Sequence, residues 1–96
     1  MPPALHPSAR SDIETHILPD GSCLLFDPVA SAGHVLDVVG ALAWDYCDGA
    51  RTPSEIAGEI AALVPRDAQL REEVLHLLDE FAERGLLSVA PQNSQG

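Results

Sequence analysis

Apolar residues along this chain change period near its middle, from the alternation of strands to the three-to-four spacing of helices. Asp12–Leu18, then Pro19-Asp20-Gly21-Ser22, then Cys23–Phe26 reads as strand, turn, strand, because Pro-Asp-Gly is turn chemistry with a glycine free to take positive φ. Asp27-Pro28 ends the second strand. A loop through Ala30-Ser31-Ala32-Gly33 leads to a third extended piece at His34-Val35-Leu36, and three short strands make a small antiparallel sheet.

The second half is helical. Asp37 caps a helix running from Val38 to about Cys47, which Asp48-Gly49 stops. Its wheel puts Val38, Val39, Leu42, Ala43 and Tyr46 on one face and Trp44 off it, so the helix is expected to be covered on more than one side. Thr52-Pro53-Ser54-Glu55 is a capping box with proline at the first helical position. The helix it opens carries Ile56, Ala57, Ile60, Ala61, Leu63 and Val64 in one stripe until Pro65 prevents continuation. The last helix spans about Gln69 to Arg84. Val74, Leu75, Leu77, Leu78, Phe81 and Ala82 lie on one broad face, charged residues lie opposite, and Gly85 stops it. Leu86-Leu87-Ser88-Val89 returns as a short extended segment packed on the sheet or joined to it. Three strands followed by three helices is an α+β order, and the winged helix-turn-helix is a compact form of it: a three-stranded antiparallel sheet followed by three helices.

At 96 residues and 10.2 kDa the chain is one domain. Residues 1–11, rich in proline, and residues 91–96, all polar after Pro91, read as flexible tails around a folded unit at 12–90. The composition, 46% hydrophobic and 21% charged, excludes both a disordered chain and a membrane span. Charge narrows the function. Fifteen acidic residues against 5 arginines give −10, a field that repels phosphate backbones and anionic membranes and favours a basic partner. The last helix, which would read DNA in a helix-turn-helix, sets Arg71 and Arg84 against Glu72, Glu73, Asp79, Glu80 and Glu83, so neither nucleic acid nor membrane is expected as a partner.

Catalytic chemistry is not visible. His6, His16, His34 and His76 share no ligand spacing with Cys23 or Cys47, which argues against a metal site, and both cysteines sit where small buried hydrophobes sit. No glycine-rich phosphate loop, nucleophile elbow or phosphopantetheine-type Asp-Ser-Leu occurs. Paired acids such as Glu72-Glu73 and Asp79-Glu80 fall on a solvent face. The expectation is a protein that is not an enzyme, takes no cofactor, lacks a signal peptide and resides in the cytoplasm with reduced thiols.

Leu36-Asp37, then Ala41 and Trp44, then Cys47-Asp48-Gly49-Ala50-Arg51-Thr52, followed by Glu55-Ile56-Ala57 and by Val74, Leu78, Phe81 and Gly85-Leu86-Leu87, resembles the PqqD-like family over Cys23 to Leu87. The resemblance implies a winged helix-turn-helix without DNA binding. It implies a peptide chaperone, a recognition element for ribosomally synthesised, post-translationally modified peptides. In that family a precursor's leader peptide adds as a strand along the third strand and rests against the third helix. The chaperone presents it to a modifying enzyme, often a radical S-adenosylmethionine (radical SAM) enzyme; the founding member serves pyrroloquinoline quinone (PQQ) biosynthesis. Carried onto this chain, the peptide-binding edge is Ala32, Gly33, His34, Val35 and Leu36, and the helix face is Leu70, Arg71, Val74, Leu75 and Leu78. The wheel alone does not separate core-facing from groove-facing leucines there. The sequence departs from the family pattern at Asp37, where asparagine is usual, in a longer Asp27–Gly33 loop, and at Trp44, where an aliphatic residue is common. Strand exchange between such short sheets offers a route to a homodimer. The alternative reading is a non-catalytic winged-helix adaptor or regulator whose partner is a folded protein; the two differ in whether the chain binds an extended peptide by itself.

Overall fold

The computed structural model describes residues 5–64 and 68–88. Its elements follow the predicted order: β1 (Glu14–Ile17), β2 (Cys23–Asp27), β3 (Ala32–Leu36), α1 (Val38–Asp45), α2 (Pro53–Leu63) and α3 (Leu70–Glu83). The strands form one antiparallel sheet in the order β1-β2-β3, with Ile17 opposite Cys23 and Cys23 opposite Leu36. The fold is therefore the α+β arrangement of a three-stranded sheet followed by three helices.

Local chemistry explains the sharpest boundaries. In the β1–β2 turn the Ser22 amide donates to Asp20 Oδ1 at 2.9 Å, and Gly21 takes φ +89°, a conformation a side chain would strain. Asp37 Oδ1 accepts from the Gly40 amide at 2.8 Å and starts α1. Both bonds of the capping box at α2 are present: the Thr52 amide donates to Glu55 Oε1 at 2.8 Å, and the Glu55 amide to Thr52 Oγ1 at 3.2 Å.

The core lies between one face of the sheet and the three helices. Cys23 and Leu25 of β2 point inward, as strand alternation requires, to meet Val39 and Ala43 of α1, Ile56 and Ile60 of α2, and Leu70, Val74, Leu78 and Phe81 of α3. Trp44 is buried and meets Phe81 edge-to-face, ring centroids 5.5 Å apart at 88°, which realises the expectation that α1 is covered on a second side. By contrast Val38 and Leu63, placed by the wheel on apolar stripes, are exposed at the start of α1 and the end of α2. β1 is exposed throughout and packs against β2 alone among the elements.

Two expectations need correction. The N-terminal segment is not a tail up to residue 11. Ser8 bridges Asp48 and Ala9 bridges Leu87, while the Ala9 amide donates to the Cys47 carbonyl at 2.8 Å and the Ser88 amide to the Ser8 carbonyl at 2.7 Å. Pro7 is fully buried beside them. Main-chain pairing with two segments holds these residues where composition alone indicates freedom. For the same reason Leu86-Leu87 turns to this segment rather than to the sheet. Val89 and the expected tail 91–96 lie outside the described residues.

Arg10 fastens that segment across the fold. Its guanidinium donates to both Asp27 oxygens at 3.0 and 3.1 Å and to the Gly85 carbonyl at 2.8 Å, and it also pairs with Asp12. Asp27, the buried acid of the sheet, also accepts from the Val29 and Ala30 amides. The Arg10 hydrogen bonds hold the Asp27 carboxyl below its ordinary range against the opposing effect of desolvation.

Candidate functional site

β3 is an edge strand. One side pairs with β2, and its own end, Val35 and Leu36, forms one wall of an open groove of about 530 Å3 whose other wall is the α3 stripe Leu77, Glu80 and Arg84. The end of the groove next to Leu36 is closed by the start of α1, Asp37 and Gly40, and by Asp20 and Ser22 of the β1–β2 turn. Gly40 allows that closure: a Cβ there would stand 3.1 Å from the Leu36 Cβ, tighter than ordinary contact, so α1 seats directly on the end of β3. Leu36 is buried at the floor while Val35, alternating with it, is exposed.

α3 divides the expected helix face in two. Leu70, Val74 and Leu78 are fully buried in the core, so they support the site without lining it. Arg71 lies over α2, its guanidinium against Gly58. Leu75 is exposed and does not line the groove either. Leu77, Glu80 and Arg84, spaced three and four apart, form the stripe that does. Of the expected edge residues, Val35 and Leu36 line the groove, and His34 stands at its border with Nδ1 3.3 Å from Arg84 Nη1. Ala32 and Gly33 lie further back along β3, opposite Asp27 and Phe26. The groove residues of α3 that the sequence did not single out, Leu77 above all, carry one usable signal: they sit on the flank of the apolar face that leads into the charged face.

Cys23 and Cys47 are buried, and burial pushes the Cys47 thiol up to about 12, with the neighbouring Asp48 charge adding to it, which disfavours the thiolate. Among the described residues no group of three His, Cys, Asp or Glu side chains is placed to hold a metal ion, and no helix is long and apolar enough to cross a membrane. What the groove offers a ligand is a strand edge unpaired among the described residues, an apolar floor and a charged rim.

Comparison with known proteins fits this geometry. The family model described as Coenzyme PQQ synthesis protein D (PqqD) matches residues 22–87. No curated protein matches the chain. A similar solved structure is TbiB1 in complex with the TbiA(beta) leader peptide, with a TM-score of 0.69 at 21% identity over 84% of this chain and 94% of that one; at that identity the likeness is one of fold. The family match runs from the turn before β2 to the residue after α3 that pairs with Ala9, more than half of the sequence, and on that ground the chain belongs to the PqqD family.

Proposed function

We propose that this chain is a leader-peptide chaperone of ribosomally synthesised, post-translationally modified peptides. It binds the leader of a precursor peptide as a fourth strand along β3, beside α3, and presents it to a modifying enzyme such as a radical SAM protein. The observation that carries the reading is the pairing of an edge strand with a groove: β3 offers main-chain donors and acceptors on one side, and the Leu36–Leu77 floor lies next to it. An added strand gains affinity from main-chain hydrogen bonds and specificity from every second side chain, which falls into the groove at a repeat of about 7 Å. The family supports this role, as does the leader peptide bound by TbiB1. The reading needs no catalytic group in the chain itself, and two buried thiols suit a reducing compartment such as the cytoplasm.

Calorimetric titration with synthetic leader segments of short peptides encoded beside its gene tests the proposal. Saturable binding near the micromolar range, about −8 kcal/mol, supports it. Methylating alternate backbone amides of the bound peptide then removes the binding if the mode is strand addition. A folded sample that binds none of these segments moves the assignment to a winged-helix adaptor with a folded protein partner.

A further inference from the structure

Resting on the leader-peptide reading, we infer that the groove selects an extended segment with a Lys or Arg on the N-terminal side of its central apolar residue and an Asp or Glu on the C-terminal side. The charges around the groove are sorted by position. At the Leu36 end stand Asp37, which follows β3, and Asp20, in the turn whose next strand opens with Cys23 opposite Leu36. Further along, at His34, stands Arg84. Asp37 Oδ1 is occupied by the Gly40 amide and Asp20 Oδ1 by Ser22, neutral donors that leave the net charge in place. Among the described residues no arginine pairs with either acid, and Arg84 contacts no carboxylate. One end of the groove thus carries two anions with no arginine partner and the other carries Arg84, with Glu80 one turn back along α3 and turned to His76, its Oε2 3.4 Å from Nε2.

Strand direction converts this asymmetry into a sequence order. Both pairings in the sheet are antiparallel, and a fourth strand that continues the pattern runs opposite to β3. Its N-terminal residues then lie beside Leu36, Asp37 and Asp20, its C-terminal residues beside His34 and Arg84, and its central inward side chain meets Leu77. Parallel addition would require the reverse order, acid before base. Like charges brought together at a partly covered site oppose binding, so the rim discriminates as well as attracts.

The test is selection from a displayed library of random peptides of about a dozen residues on the full-length protein, followed by affinity measurements on synthetic copies. The expected winners carry a base, an apolar residue and an acid in that order, and they lose about ten-fold or more in affinity on the double variant Asp20→Asn, Asp37→Asn. Asparagine preserves the cap and turn bonds, so that variant keeps its fold. On Arg84→Glu the selected peptides are expected to exchange the C-terminal acid for Lys or Arg. Winners with no charge order, or with the reverse order, whose binding still requires Leu77, overturn the inference and leave the peptide-binding reading standing. Failure to enrich any peptide, or winners indifferent to Leu77→Asp, overturns both.

Discussion

Replacing Leu77 by aspartate separates the groove from the core more cleanly than any other single change. Leu77 is half-buried, and its free side is what an added strand would cover. Full burial of a leucine is worth about 1.5–3 kcal/mol, so the part left to the ligand is about 1 kcal/mol. Aspartate removes that contribution and places a carboxylate under the peptide without a partner, which costs about 1–3 kcal/mol more. The expected loss of about 2–4 kcal/mol corresponds to a weakening of about thirty-fold or greater. Fluorescence anisotropy with a labelled leader peptide reads it, with far-UV circular dichroism and a urea melt to show that the fold is intact. Two neighbours are the controls. Leu75→Asp lies about 200° around the helix from Leu77 and should bind as the parent does. Leu78→Ala removes a fully buried side chain and should cost about 2–5 kcal/mol of stability, visible in the melt. Unchanged affinity in a folded Leu77→Asp protein, or an equal loss in Leu75→Asp, refutes the groove as the binding surface.

Three further outcomes follow from the packing. Asp27 has its carboxyl lowered from 3.8 by Arg10, so the unfolded chain takes up its proton at higher pH than the folded one. This contribution is complete above the unfolded value and is lost as pH falls through the depressed folded value; urea melts between neutral and strongly acid pH should show it, and Asp27→Asn should flatten that acid limb. Thr52→Ala, which loses the side-chain half of the capping box at α2, should lower stability by about 1 kcal/mol in urea, whereas Thr52→Ser should not. With Cys23 and Cys47 both buried and the latter's thiol near 12, a chromogenic disulfide reagent should label neither in the native protein and both in guanidinium; rapid native labelling would contradict the burial.

Local signals were legible in the sequence wherever a short stretch determines its own conformation. Pro19-Asp20-Gly21-Ser22 made the turn, Asp37 made the cap and Thr52–Glu55 made the box, because the groups that satisfy one another are at most three residues apart. Long-range partners were not legible. Arg10 reads as part of a proline-rich tail, and nothing nearby in sequence indicates that it reaches Asp27 and the carbonyl of Gly85. The division of the helix face was not legible for a related reason. Amphipathicity identifies which residues of α3 avoid water, but the division among Leu75, Leu77 and Leu78 depends on what stands beside the helix: α2 on one flank, the core below, and the incomplete edge of the sheet on the other. Leu78 belonged to the core and Leu77 to the groove, although they are adjacent in sequence.

An open strand edge invites pairing with another copy of the same chain, and natural proteins commonly guard such edges with charge. Here the guard is the net charge of the whole chain. Two copies that joined their β3 edges antiparallel would bring two chains of net charge −10 into contact, although the Asp37 end of each β3 would then lie beside the Arg84 end of the other. A second copy is opposed by the net charge of both chains, which a short peptide does not carry, so the overall acidity favours a β3 that remains unpaired for its ligand. That repulsion is screened by salt, with a Debye length of about 10 Å at 0.1 M and about 3 Å at 1 M. Sedimentation at low salt should accordingly show a monomer, and association through β3, if it is induced at all, should appear at molar salt and be reversed by saturating leader peptide. A stable dimer at low salt that excludes the peptide would contradict this account, because the edge would then be reserved for self-pairing.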